Sequence, residues 1–262
     1  MKIFDKNDFI NNQMISASMK DIQGDMGAHG HNFYEIEFIV DGSGIYEIDG
    51  TEYEIKKNTL FLMTPANVHA IRNSNATLIN VMFSYEYGKE SLDFQVLLTG
   101  SPCFYFDSLD GAFLYSLLFE LSRISEDQPS YALLLTNCVL NKLRLNSTAP
   151  ASTASSYIQR AILYMLENFR TGVTLAATAK HLGLSSAYFS DFFRSRMNLN
   201  FKDYLDDIRF SYAKKLLSLT DMSIKEVQFQ SGFYDYANFA RRFKQKYGIT
   251  PSEYRKKNFT AK

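Results

Sequence analysis

The chain has 262 residues, 46% of them hydrophobic, which is enough to bury two cores, and its 28 Lys+Arg balance 28 Asp+Glu. With only Cys103 and Cys138 and no CxxC pair, neither a disulfide scaffold nor a thiolate zinc site is indicated. The opening MKIFDKNDF lacks an apolar signal core, and no stretch approaches the roughly 18 apolar residues of a membrane span, so the expectation is a soluble, cytoplasmic protein. The zero net charge conceals a polarity: residues 1–156 carry 10 Lys+Arg against 19 Asp+Glu, and residues 157–262 carry 18 against 9. A basic half of this size suits a polyanion, because Lys and Arg that neutralise phosphates release counterions.

From about Gly30 to Phe83 the pattern predicts short strands at Tyr34–Val40, Gly44–Ile48, Glu52–Ile55, Leu60–Thr64 and Thr77–Phe83. Asp41-Gly42-Ser43-Gly44 and Asp49-Gly50 read as the turns between them, since Asp-Gly suits the positive φ of tight hairpins. Closely spaced strands of this kind predict a barrel or jelly roll. From Asp110 the period becomes helical, with Phe113, Leu117, Leu118, Leu121 and Ile124 on one face. A second helix starts near Pro129 and presents Leu133, Leu134, Val139, Leu140 and Leu143 up to about Leu145. This hairpin is expected to cover the β-domain, with any remaining face serving a homodimer. NSTAPASTASS, Asn146 to Ser156, has the composition of a solvated linker.

Beyond it, a helix from about Ser156 to Phe169 carries Ile158, Ile162, Met165, Leu166 and Phe169, and then the sequence repeats itself. LAATAKHLGLSSAYFSDFFRSRMNLNFKDY, from Leu175 to Tyr204, aligns with IKEVQFQSGFYDYANFARRFKQKYGITPSEY, from Ile224 to Tyr254. Gly183 answers Gly232; past a one-residue insertion Ser185 answers Asp235, Phe189 Phe239, Phe193 Phe243, Leu199 Ile249 and Tyr204 Tyr254. Each unit reads as a short helix, a glycine turn, a capping Ser or Asp and a longer amphipathic helix. The phenylalanines at i and i+4 fix the buried face of that helix. Ala187, Ser190, Asp191 and Arg194 then point outward in the first unit, and Tyr236, Ala237, Ala240, Arg241 and Lys244 in the second. Small side chains let a helix approach base edges, and Arg and Lys reach guanine or phosphate.

GFYDYANFARRFKQKYGITPSEYR, Gly232 to Arg255, resembles the signature of the AraC/XylS transcription regulators, and HLGLSSAYFSDFFRSRMNLNFKDYLDDIRFSYAKKLL resembles the first half of the same domain. The resemblance covers Ser156 to Lys257. It implies a seven-helix DNA-binding domain in which a long helix, about Lys202 to Ser218, joins the two readers on one face of the duplex. Three positions depart from the family pattern: Asn198 replaces a glycine, Gln228 replaces a small alanine that packs between two helices, and Asp191 places an acid where a base is common.

In the N-terminal half, His29-Gly30-His31-Asn32-Phe33-Tyr34-Glu35 spells His-x-His-x3-Glu, and His69 follows. His29 and His31 project to one side of a strand, and a later strand can bring His69 across from them. The arrangement resembles the cupin fold, although Pro65-Ala66-Asn67-Val68-His69 lacks the usual glycine and spacing of the second cupin motif. Three readings stay open: an effector pocket, a divalent metal and structural hydrogen bonding. His29, His31, Glu35 and His69 are assigned to the effector pocket, with no metal and no cofactor. His181 is expected to face solvent, and Tyr34, Phe38, Tyr46 and Phe83 to be core.

The expected fold is α+β and multidomain: a cupin-like β-barrel with a helical hairpin (1–145, effector binding and dimerisation), a linker (146–156) and an all-α domain with two helix-turn-helix units (157–262). The function expected is a ligand-responsive transcriptional regulator of promoter DNA, not an enzyme, with a sugar or other small metabolite as effector and RNA polymerase as a further partner. The alternative is a metal-dependent cupin enzyme with an accessory DNA-binding domain, which leaves the C-terminal repeat unexplained.

Overall fold

The computed structural model describes residues 2–4, 15–84, 87, 101–124, 128–146, 153–197 and 199–259. The chain divides into two compact units, residues 1–159 and 160–262. No described helix is long and apolar enough to cross a membrane.

In the first unit, the described strands are β1 (Lys2–Phe4), β2 (Ile15–His31), β3 (Tyr34–Ile48), β4 (Thr51–Ile55), β5 (Thr59–Met63), β6 (His69–Phe83) and β7 (Cys103–Tyr105). They form one sheet in the order β1-β2-β6-β3-β5-β7, with β4 paired to β3, and every pairing is antiparallel except β1 with β2. The core on this sheet gathers Ile39, Tyr46, Ile48, Phe61, Ile71 and Leu78. Asp49-Gly50 makes the expected hairpin turn, with both residues at positive φ and Ile48 opposite Thr51.

The Asp41–Gly44 segment is not a turn. Tyr34–Ile48 is one continuous strand, and the ladder to β6 slips on either side of Gly42 as a pair of bulges. Both glycines have positive φ, and a Cβ on Gly42 would lie 2.3 Å from the Asn75 carbonyl oxygen. The glycines therefore allow two backbones to cross closely, a need that produces the same residue choice as a hairpin. The structure also adds β1, β2, β7 and the first half of β6, none of which the apolar pattern predicts.

Two helices follow, α1 (Ser108–Leu121) and α2 (Pro129–Asn146), with Pro129 opening the second as expected. Their buried faces are rotated from the expected ones. In α1 the buried residues are Gly111, Leu114, Leu118 and Leu121; in α2 they are Ala132, Leu135, Thr136, Val139, Leu140 and Leu143. Phe113, Leu134 and Leu145 are exposed. Both helices are apolar over more than one face, so periodicity alone leaves the inward side undetermined.

Helix α3 (Thr153–Asn168) crosses the boundary between the units, and the second unit continues with α4 (Leu175–Leu182), α5 (Ser186–Met197), α6 (Phe201–Leu219), α7 (Ile224–Gln230), α8 (Tyr236–Tyr247) and α9 (Pro251–Asn258). Helix α3 starts at Thr153, three residues before its expected start, and residues 147–152 of the expected linker lie outside the described residues, as does Asn198. The repeat is one of packing as well as sequence. Phe189 and Phe193 meet at 5.7 Å, and Phe239 and Phe243 at 5.8 Å. Phe193 meets Tyr204 edge-on at 5.6 Å, and Phe243 meets Tyr254 edge-on at 5.7 Å. The long α6 confirms the helix expected between the two units.

Candidate effector site and DNA interface

The N-terminal cluster is assembled by strand register. His29 stands opposite His69 in the β2–β6 ladder, and Glu35, on β3, pairs with Met82 two residues along β6 from Asn80. All four expected residues come together and are buried: His29, His31, Glu35 and His69 are each 7% exposed or less. The His29 and His69 rings are 4.2 Å apart, and the His31 and His69 rings meet edge-on at 5.2 Å. His31 Nε2 lies 3.2 Å and His69 Nε2 3.8 Å from the same oxygen, Glu35 Oε2. Glu35 Oε1 accepts a hydrogen bond from Asn80 Nδ2 at 2.6 Å.

The outer nitrogens of the imidazoles are held in turn. His31 Nδ1 donates to the Phe33 carbonyl at 2.7 Å and His29 Nδ1 to the Gly27 carbonyl at 2.9 Å; a carbonyl can only accept, so each Nδ1 carries the proton. His69 Nδ1 is 2.7 Å from the Tyr46 hydroxyl. Burial by itself raises the Glu35 carboxyl, but the hydrogen bond and charge of His31, the charge of His69 and the Asn80 amide outweigh it and bring it down to about 2. Burial, reinforced by the charge of His31, lowers His69 to about 3. Glu37, which shares the Asn80 amide, is pushed up to about 7 by burial and by the neighbouring Glu35 charge.

Tyr34, Phe38, Tyr46 and Phe83 are core as expected, each 1% exposed or less. Tyr46 nevertheless touches the site through its hydroxyl. The residues that sequence reasoning missed are Tyr46, Asn80 and Glu37. A signal existed for Glu37, because Glu35 and Glu37 fall on one side of an otherwise apolar strand. Asn80 interrupts the apolar run of β6 in the same way.

On the DNA side, Ala187, Ser190, Asp191 and Arg194 of α5 are all exposed, as are Tyr236, Ala237, Arg241 and Lys244 of α8, while Ala240 is half-buried. Tyr188 N–H donates to the Ser185 hydroxyl, and Asn238 N–H to the Asp235 carboxylate, so both longer helices start at the expected caps. The basic residues of α8 divide between two directions. Arg242 Nη1 meets Asp206 Oδ2 at 2.5 Å and Lys246 pairs with Asp207, both on α6. Arg241 and Lys244 are exposed, with Arg241 steadied by a 3.0 Å hydrogen bond to Asn238. Gln228, the residue out of keeping with the family pattern, is buried, and its side-chain amide donates to the Phe233 carbonyl in the turn. His181 is exposed as expected and stacks on Tyr164 at 4.4 Å.

Comparison with known proteins agrees with both halves. The AraC-like ligand binding domain matches residues 19–138, and a helix-turn-helix domain family matches residues 178–257. The chain is 25% identical to the HTH-type transcriptional regulator YfiF of Bacillus subtilis over 246 residues, 87% of this chain and 78% of that one. It is 23% identical to the HTH-type transcriptional activator RhaR of Escherichia coli over 270 residues, covering 97% and 96% of the two chains. Among solved structures, ToxT of Vibrio cholerae O395 aligns over 95% of this chain and 99% of its own at 14% identity, with a TM-score of 0.45. With its ligand-binding domain ahead of paired helix-turn-helix units, the chain belongs to the AraC family and is a ligand-responsive, DNA-binding transcriptional regulator.

Proposed function

We propose that the buried cluster of His29, His31, Glu35 and His69 is where the effector is sensed, and that α5 and α8 read promoter DNA. The observation that supports the sensing role is the cost of the cluster. Three imidazoles and a carboxylate packed into one core destabilise a domain unless something uses their polarity. A sugar or another small metabolite with hydroxyl or carboxylate groups fits such donors and acceptors. The reading helices contribute Ala187, Ser190, Asp191, Arg194, Tyr236, Ala237, Ala240, Arg241 and Lys244, with Arg241 as the base-reading residue and Lys244 on phosphate. Residues 1–145 sense and dimerise, residues 146–156 link, and residues 157–262 bind DNA. The exposed Leu109, Phe113, Leu134 and Leu145 on α1 and α2 support a homodimer through that hairpin. The protein acts in the cytoplasm without catalysing a reaction, and its DNA-bound form is available to RNA polymerase.

The test is DNA binding by the full chain and by residues 157–262, followed in gel shifts at increasing salt. The fragment is expected to fold and bind, with affinity falling steeply as salt rises. His31→Ala and His69→Ala in the full chain are expected to abolish the effector response and leave DNA binding intact. A fragment indifferent to salt overturns the DNA-binding role, and folded histidine variants with an unchanged response overturn the sensing role.

A further inference from the structure

His31, Glu35 and His69 carry an arrangement that an organic effector alone does not require. Their ligand-capable atoms all lie within 4.8 Å of one another, and all three residues are buried. Two imidazole nitrogens, His31 Nε2 and His69 Nε2, converge on Glu35 Oε2 at 3.2 and 3.8 Å. Both Nε2 atoms are sealed from solvent, His31 Nε2 with no partner but Glu35 and His69 Nε2 with no hydrogen bond at all. A buried ring nitrogen in that condition is rare and costly.

The 3.2 Å pair has the spacing of atoms that share a metal ion, and the 3.8 Å pair is slightly wider. With bonds of about 2.1 Å, two ligands on one ion stand about 3.0 Å apart at a right angle and about 3.4 Å apart at the tetrahedral angle. The supporting contacts agree. His31 Nδ1 is committed to a backbone carbonyl, so in the neutral ring the lone pair sits on Nε2. His69 Nδ1 lies 2.7 Å from the Tyr46 hydroxyl, and in the tautomer that donates to that oxygen the lone pair is likewise on Nε2. Asn80 holds the far oxygen of Glu35, so that Oε2 faces the two rings. Metal-binding histidines and carboxylates depend on such outer partners to fix tautomer and direction. Two imidazole nitrogens and one carboxylate oxygen suit a divalent ion of the zinc or cobalt kind better than magnesium or calcium, which take oxygen.

We propose that His31 and His69, through Nε2, and Glu35, through Oε2, hold a divalent first-row transition-metal ion, with the remaining coordination position open to an oxygen donor from outside the protein. The consequence for DNA rests on the reading of this cluster as the sensor, but the occupancy of the site does not. His29 flanks the ion's place through its ring contact with His69. The open position gives the effector a chemical class: a small molecule with a carboxylate or a pair of adjacent hydroxyls that binds by completing the coordination of the ion.

The experiment uses the purified full chain, stripped with a chelator and titrated with Co2+ while visible absorption is recorded. Wild type is expected to develop the d–d bands of nitrogen- and oxygen-bound cobalt and to saturate at one ion per chain, with Zn2+ bleaching them by displacement. Glu35→Gln keeps the side-chain volume and is expected to weaken Co2+ binding by more than roughly a hundredfold, since loss of an outer partner alone costs 10–100-fold. His69→Gln gives a second test, and circular dichroism verifies that each variant is folded. Folded wild type without saturable bands, or Glu35→Gln binding as tightly as wild type, overturns the proposal. Promoter binding is measured on the same samples, which separates the two readings. A chain that responds to its effector without taking up cobalt keeps the sensor and loses the metal; one that takes up cobalt at this site but shows no change in DNA affinity keeps the metal and loses the sensor.

Discussion

The two helix-turn-helix units place their paired phenylalanines at nearly equal distances, yet their turns are built differently. In the first unit Ala179 is buried, and Gly183, at φ +74°, caps α4 with open space where a Cβ would stand. In the second, Gln228 occupies the position of Ala179 and donates to the Phe233 carbonyl, while Gly232, at φ +81°, has the Phe169 carbonyl oxygen 2.5 Å from where its Cβ would be. The reader helices differ as well. Helix α8 is tied to α6 through Arg242–Asp206 and Lys246–Asp207, and the described residues include no corresponding ion pair from α5. A repeat in sequence therefore preserves the aromatic wedge and lets each unit adapt to its neighbours, because the wedge is internal to the unit and the turn is not.

Removing a wedge residue from either unit gives the largest expected effect. Phe193→Ala and Phe243→Ala each take away a ring that is fully buried, and each is expected to cost about 3–5 kcal/mol in chemical denaturation. Equal losses would support the equivalence of the wedges, and a difference of more than about 2 kcal/mol would break it.

The glycines should separate the units where the wedges do not. Gly183→Ala carries only the left-handed backbone penalty, about 1–2 kcal/mol. Gly232→Ala adds a collision with backbone and is expected to cost clearly more, read as a larger drop in denaturation midpoint at unchanged slope. Identical midpoints would mean that the end of α3 yields to the new methyl group.

Smaller effects are expected on the reading surface. Arg241→Ala should cost roughly 1–3 kcal/mol on the cognate site and relax preference at one base pair, whereas Lys244→Ala should weaken all sequences alike by less. A panel of single-base operator variants decides between these roles. Uniform loss with Arg241→Ala would assign that residue to the backbone as well. Matching substitutions at Arg194 should do less in the first unit, where Asp191 on the same exposed face repels phosphate.

The helical half was the more legible in sequence because its signals are local. Caps, glycine turns and i,i+4 phenylalanines all fall within one short unit, and the repeat supplies its own comparison. In the β-domain, His29, His31 and Glu35 were legible because they share one short stretch. Tyr46 and Asn80 were not, since only the pairing of β3 with β6 brings them to the histidines. Strand β2 was hidden by its own surface: Lys20, Asp21 and Gln23 through Ala28 are exposed, so no apolar alternation marks it. The inward side of α1 and α2 was hidden for the opposite reason, apolar residues on more than one face.

The long β2–β6 ladder has a consequence for how the protein comes to exist. It joins Ile15 to Phe83 at one end and His29 to His69 at the other, with β3 filling the space on the far side of β6. On a ribosome, β2 has only its short pairing with β1 until β6 begins to emerge, and such distant pairings form slowly because the intervening chain must be ordered first. The helix-turn-helix units need only near neighbours and form quickly once made. The ligand-binding domain is synthesised first, but its histidine cluster is complete only when the slow sheet closes, so under the sensing role proposed for that cluster a newly made chain gains its helix-turn-helix units before it is able to answer a signal.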